Sequence, residues 1–480
     1  MKYNKAEAKE AAREILRGIW TAMPYAWDQN DKFDEKSNRS NMDHIINNIK
    51  VDGHYCSGNI AEFWSMPDDE RMYAHEVMLD QARGKIPMIA GCHHQSVKQV
   101  VSLAKHAQDI GYDFIIVLTP YVAARDDETV YQFYEYICAN VDIGIILFNV
   151  PQNCHPISAK LARRLSKLDN ICGFKQADGS PASTHAIIDA VGKELVISVA
   201  DEAPWLTSMT QLGLQWLVNY NPHLYQTKEW LPLKQYTKAA QEGDINKATA
   251  IAKTLQPLRE LHAKWIMGYW NSGRMPIAEM KYWQELIGMK GGKTRPPVIP
   301  MSDEMKYEMK KDLIATGNVF HKLINPKRNM PDEAFKVHGF SEEFLNDKET
   351  FDQIANEFLG FIKDKKIIIH NASFDLGFLD GELALLQKEK IDKNFVIDSL
   401  EIARNKFPGV SNSLDSLCKR FNVDLSRRTK HNALLDCELL REVYINLLDV
   451  KEPKFNLTNN VVGQNVNRTK EYSKTIIKIS

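Results

Sequence analysis

Between residues 86 and 220, six short apolar runs alternate with longer segments of helical period, and this alternation most narrows the folds open to the chain. Residues 86–91 (IPMIAG) precede a helix-period stretch at 95–108, 114–118 (FIIVL) precede 128–139, and 144–148 (GIILF) precede 158–168. Residues 171–175 (ICGFK), 194–199 (ELVISV) and 215–220 (QWLVNY) continue the series. Strands that are apolar at nearly every position are buried on both faces, which calls for a parallel sheet covered by helices. About 230 residues of such units suit an eightfold (β/α) barrel, an α/β fold of the TIM type, better than an open sheet. A doubly wound open sheet stays as the alternative, although no G-x-G-x-x-G of the dinucleotide type occurs. Residues 236–315 read as helical and as a C-terminal extension of the barrel.

At 480 residues the chain exceeds one ordinary hydrophobic core. The expected division is a barrel with its helices at 1–317, a further domain at 318–450 and a polar tail at 451–480. A formal net charge of −1 argues against a generally basic nucleic-acid binder. The seven cysteines are scattered and form no C-x-x-C pair, so neither a zinc site nor a disulfide framework is expected. The first 18 residues are charged and helix-prone, unlike a signal peptide. No apolar run approaches the roughly 20 residues that span a bilayer. A cytoplasmic protein without a membrane partner is expected.

Polar residues gather where the strands should end: 57–59 (SGN), 92–94 (CHH), 148–151 (FNVP), 175–176 (KQ) and 201–202 (DE). Barrel active sites form at that face. Lys175 is the sharpest of these residues. A lysine that closes an apolar strand is partly desolvated, which lowers its pKa and frees the amine to attack a carbonyl. A structural lysine whose head reaches the rim is the rival reading, and strand context alone does not separate the two.

Residues 18–25 (GIWTAMPY), 57–62 (SGNIAE), 118–121 (LTPY), 148–151 (FNVP) and 173–177 (GFKQA) occur in the order of one family. The region from 18 to 317, with the R-P-P turn at 295–297, resembles the dihydrodipicolinate synthase / N-acetylneuraminate lyase family of pyruvate-type class I aldolases. The resemblance implies that Lys175 forms a Schiff base with a pyruvate-like 2-oxo acid, that backbone amides around Gly58 and Asn59 hold its carboxylate, and that no cofactor is needed. It also implies a homo-oligomer, a tetramer by the family's habit. Several positions depart from the pattern. Phe148 stands where the family has a proton-relaying tyrosine, Asn59 and Ile60 replace two threonines, Val122 replaces a second tyrosine, and Asn153 replaces an arginine of the true synthase. These changes argue against dihydrodipicolinate synthase itself and leave 2-oxo acid aldolase, hydratase-aldolase, dehydratase and a member with no catalysis open. His93 and Tyr121, with His94 and Tyr25 behind them, are the candidates for proton transfer in place of Phe148.

From residue 320 the pattern changes. Residues 320–326 (FHKLINP) read as a strand, 350–362 as a helix, 366–370 (KIIIH) as a buried strand, 373–387 as a helix and about 431–448 as another. Asp375 in HNASFDLGFL and His431 and Asp436 in HNALLD stand out, although each alone is more often a cap or a solvated residue. With V-H-G at 337–339, I-D-S-L at 397–400 and F-P-G at 407–409, the segment 320–448 resembles the proofreading 3′–5′ exonuclease of bacterial DNA polymerase III, its epsilon subunit. The resemblance makes Asp375 and Asp436 ligands of Mg2+ or Mn2+ and His431 the base that activates water. It also implies DNA and a polymerase subunit as partners.

The family's first motif, a strand running into D-x-E-T, is absent before residue 320. The literal match at 126–129 (DDET) falls inside the barrel, where it starts a helix. Two-metal hydrolysis needs several carboxylates around paired cations. An inactive, loosely folded ribonuclease H-like fragment with exposed strand edges is therefore expected. A Schiff-base lyase leads, a catalytically silent replication protein is second, and an accidental fusion joined near T-G-N at 316–318 is third.

Overall fold

The computed structural model describes residues 2–228, 230–315, 322–329, 331, 335, 339–363, 365–423, 425 and 433–448. Contacts divide the chain into two units, 1–302 and 303–480.

The first unit is a closed barrel of eight parallel strands in sequence order. They are β1 (Gly18–Thr21), β2 (Gly53–Cys56), β3 (Met88–Gly91), β4 (Phe114–Leu118), β5 (Gly144–Asn149), β6 (Ile171–Gln176), β7 (Val196–Val199) and β8 (Trp216–Asn219). Every residue of these strands is buried. Their outer faces meet helices and their inner faces meet one another, which is why FIIVL and GIILF show no polar alternation. β8 closes on β1 with Gly18 opposite Trp216 and Thr21 opposite Asn219. The register across β5, β6 and β7 places Phe148, Lys175 and Ser198 side by side.

Helices cover the barrel between strands, among them Asp68–Ala82, Val97–Ile110, Asp127–Asn140 and Pro181–Val191. Asp126 caps the helix Asp127–Asn140 by accepting from the amide of Thr129 at 2.8 Å, so the DDET sequence is a helix start. Helices Pro232–Gln241, Ile245–Lys253, Gln256–His262 and Ile277–Leu286 follow β8. Glu202, just after β7, ties them to the barrel. Its buried carboxylate accepts from Tyr236 Oη at 2.7 Å and from Arg259 at 2.8 and 2.9 Å.

The second unit begins with the helix Asp303–Ala315, which the sequence pattern assigned to the barrel extension. Residues 322–326 carry no strand, contrary to the reading of FHKLINP. Polar Lys322 and Asn325 break that run, and Asn325 bonds to the backbone of 346 and 349 instead. The helix Phe351–Ile362, capped by Thr350, leads into β9 (Ile367–Ile369), which pairs in parallel with β10 (Val396–Asp398). The other described helices of this unit are Glu342–Leu345, Ala372–Leu385, Ser399–Lys406, Leu414–Arg420 and Ala433–Leu447, with a 3-10 turn at Lys393–Phe395.

One apolar cluster joins Ile354, Phe358, Ile367, Ile369, Leu376 and Leu383. Another joins Ala403, Leu417, Val423, Leu439 and Val443. Phe374, Phe378 and Leu385 are exposed on one helix. His431, the V-H residues 337–338, the T-G-N junction and the tail 451–480 lie outside the described residues. Among the described residues no helix is long and apolar enough to cross a membrane.

Candidate active site

Lys175 lies near the C-terminal end of β6, inside the barrel and 6% exposed. Its ammonium would sit over two aromatic faces, 4.9 Å from the ring centre of Tyr55 and 4.5 Å from that of Phe148. Burial lowers its pKa from the ordinary lysine value to about 7. The ring faces return only about 0.5–2 kcal/mol to a cation, so desolvation decides the balance. A large share of the amine is therefore neutral at physiological pH and able to act as a nucleophile.

Tyr55 carries the sequence GHYC into the barrel. Strand parity turns Tyr55 inward and His54 outward, towards His223. The hydroxyl of Tyr55 lies 2.6 Å from Nε2 of His93, which follows β3. Nδ1 of His93 accepts the amide N–H of Leu118 at 3.0 Å. That bond assigns the neutral ring's proton to Nε2, so His93 donates to the oxygen of Tyr55. Burial drives the His93 pKa well below the ordinary histidine value, with the charges of Arg71 and Lys175 adding to it. Arg71, 2% exposed, donates to the carbonyl of His93 at 2.6 Å and pairs with Asp68 at 2.7 Å. The His93 ring also packs on Phe148 and Phe63.

Gly58 and Asn59 follow β2 and open a single 3-10 turn, Asn59–Ala61, whose first amides have no partner inside the turn. A Cβ on Gly58 would come within 2.7–2.8 Å of the Tyr55 ring and hydroxyl, so the phenol lies directly against this backbone. Tyr25 holds the segment from the other side, accepting the Ser57 amide at 3.0 Å and bonding to Ser57 Oγ at 3.1 Å. Glu62 anchors its far end. Its buried carboxylate accepts from Trp27 Nε1 at 2.8 Å and pairs with the buried Lys281 at 2.7 Å.

Of the candidates for proton transfer, the structure brings His93 to Lys175 and Phe148 through Tyr55. Tyr25 is committed to Ser57, and Tyr121 stands 40% exposed beyond β4. His94 accepts the amide of Ser96 at 2.8 Å. Asn153 and Val122 are exposed. Tyr55 and Arg71 are the members that the sequence pattern missed. Only the inward parity of a four-residue strand could have signalled Tyr55.

In the second unit Asp375 is half-buried, and burial followed by the charge of Asp398 raises its pKa to about 6. Asp398 itself accepts the amides of Asn371, Ala372 and Leu400 at 2.8–3.1 Å, the work of a structural cap. Asp436 lies in the first turn of the last described helix, Ala433–Leu447. Among the described residues, which do not include His431, no group of three or more His, Cys, Asp and Glu side chains could hold a metal ion.

Comparison with known proteins bears on both units. The sequence model of the dihydrodipicolinate synthetase family matches residues 15–316, and that of an exonuclease family matches 305–444. The DNA polymerase III subunit epsilon of Rickettsia felis is 46% identical over 174 residues, which is 34% of this chain and 76% of that protein. The Escherichia coli subunit is 50% identical over 133 residues, covering 27% of this chain but only 55% of its own length. Among solved structures, YagE of E. coli K12, a prophage protein of the dihydrodipicolinic acid synthase family in complex with pyruvate, superposes with a TM-score of 0.56 at 19% identity. The match covers 62% of this chain and 98% of that one. The N-acetylneuraminate lyase of Mycoplasma synoviae gives 0.54 at 19% identity, over 63% and 96%. At such identity these structures speak to the fold alone.

Proposed function

The chain belongs to the dihydrodipicolinate synthetase family through residues 15–316 and, through its C-terminal part, to the DNA polymerase III epsilon subunits; from this we propose that it is a Schiff-base-forming lyase acting on a pyruvate-like 2-oxo acid through Lys175. Membership gives the barrel a lyase of the aldolase kind at the coarse level. The single observation that carries the finer reading is the buried Lys175 amine at the mouth of the barrel, with its pKa lowered to about 7.

In this reading the neutral amine adds to the 2-oxo carbon and water leaves. The resulting iminium takes up the electron pair released when a neighbouring C–H or C–C bond breaks. Amides at Gly58 and Asn59 bind the carboxylate as oriented donors. The barrel chemistry uses no cofactor, and the protein works as a cytoplasmic homo-oligomer. Reduction with borohydride in the presence of pyruvate should add the mass of the reduced adduct at Lys175, and Lys175→Ala should take up none. Absence of the adduct from the unaltered protein, with 2-oxobutyrate also tried, would sink the reading.

A second reading concerns residues 318–450 and is favoured by the 46% identity to an epsilon subunit. The segment is an epsilon-related module that has lost hydrolysis because Asp375 and Asp436 lack the carboxylates of the first motif. It retains a surface for a polymerase subunit.

A further inference from the structure

We propose that Tyr55 is the proton donor and acceptor for the chemistry at Lys175, with His93 as its positioning residue. The inference rests on the Schiff-base reading. Forming an iminium requires a proton for the departing hydroxyl, and forming or discharging an enamine requires a base or acid at the adjacent carbon. Phe148, at 4.5 Å from the amine, can supply neither. Tyr25 is held by Ser57 through both of that residue's polar groups. Nδ1 of His93 is taken by the Leu118 amide, so the imidazole cannot pass a proton through itself.

Tyr55 meets the requirements. Its ring centre lies 4.9 Å from the Lys175 amine and its hydroxyl lies against Gly58, so one side chain borders both the amine and the turn that would hold the carboxylate. Because His93 Nε2–H donates to the phenol oxygen, the phenol's own hydrogen is left to point elsewhere. Burial, with Cys92 and Cys56 nearby, keeps Tyr55 protonated, while Arg71 acts in the opposite sense. A transient phenolate would keep the His93 bond and would feel the Arg71 guanidinium.

The steps balance without a further reagent. The amine nitrogen bonds to the 2-oxo carbon, the phenol gives its proton to the alkoxide, and the phenolate takes the surplus proton from nitrogen. The phenol then protonates the hydroxyl, the C–O bond breaks, water leaves, and the nitrogen lone pair completes C=N. The phenolate next removes a proton from the neighbouring carbon, and the C–H electrons move into the enamine. Lyase turnover uses that last transfer in reverse, with the phenol protonating the enamine carbon after C–C cleavage.

Deuterium uptake into the methyl group of pyruvate in D2O, followed by NMR, isolates the carbon proton transfer, while borohydride trapping reports the Schiff base. Tyr55→Phe should still be trapped at Lys175 on long incubation but should exchange about 100-fold more slowly, a typical share for general acid–base catalysis. Phe148→Tyr added to Tyr55→Phe should restore part of the exchange. His93→Gln, which can still donate, should exchange faster than His93→Leu. Exchange by Tyr55→Phe at the unaltered rate overturns the proposal, as does an unaltered protein that is trapped but exchanges nothing. An unaltered protein that is neither trapped nor exchanging overturns the Schiff-base reading instead. If Tyr55→Phe does not fold, 3-fluorotyrosine at position 55 decides. It preserves size and acidifies the phenol, and an unchanged exchange rate would overturn the proposal.

Discussion

Lys175 pays for its reactivity in stability. Its folded pKa of about 7 lies below that of an unfolded lysine, so between those values the unfolded chain binds more protons and stability rises with pH. The destabilisation is complete below pH 7 and disappears as pH climbs to the ordinary lysine range. Lys175→Met should therefore raise the unfolding free energy at pH 7 by about 2–4 kcal/mol, with the advantage shrinking towards pH 10. Urea titrations at several pH values check this, and a variant less stable than the parent at pH 7 would contradict the buried-amine account. Borohydride trapping of the parent should quicken through pH 7 and level off above it, following the neutral amine. This residue was legible because G-F-K-Q-A ends an apolar strand. Tyr55 was not. In GHYC, a shift of one residue would have sent His54 inward and Tyr55 out, and the His93 bond spans 38 positions of sequence.

At the scale of elements, the turn after β2 depends on groups far from it in sequence. Glu62 and Lys281 are both buried, and burial pulls the Lys281 pKa down to about 8 even though Glu62 opposes the shift. Removing one partner leaves an uncompensated charge, which costs about 3–5 kcal/mol. Glu62→Gln and Lys281→Met should each lower stability by that order, and the double variant should regain much of it in a denaturation cycle. Equal losses for the singles and the double would show that the pair is not coupled. The long strands β4, β5 and β6 could be read directly from FIIVL, GIILF and ICGFK, since burial on both faces leaves no polar residue to confuse the pattern before Lys175. β1 and β2 could not be read that way. Four residues each, containing Gly, His and Thr, carry little apolar signal, and only the count to eight and the family motifs implied them. In the second unit β10 and its following helix escaped the reading because Val396–Asp398 is a half-buried strand that ends in a cap.

For the whole molecule, the two kinds of chemistry can be assayed independently in one sample. Labelled single-stranded DNA with magnesium should stay full length while the same preparation is trapped by borohydride and pyruvate. Metal-dependent shortening from the 3′ end would show that Asp375 and Asp436 have found other carboxylates. The barrel was legible as a complete architecture because it closes on itself and each unit repeats the last. The nuclease-like part was legible from motifs it retains, HNASFDLGFL and HNALLD among them, whereas its expected inactivity was read from a D-x-E-T strand missing before residue 320, and absence names no substitute. The helix Asp303–Ala315 belongs to the second unit by its contacts, with Lys311 paired to Glu442 at 3.4 Å. Yet residues 305–316 fall within the bounds of both family matches. The chain thus holds one copy of a stretch that two separate proteins would each own, and halves expressed apart must both include it if neither is to be shortened.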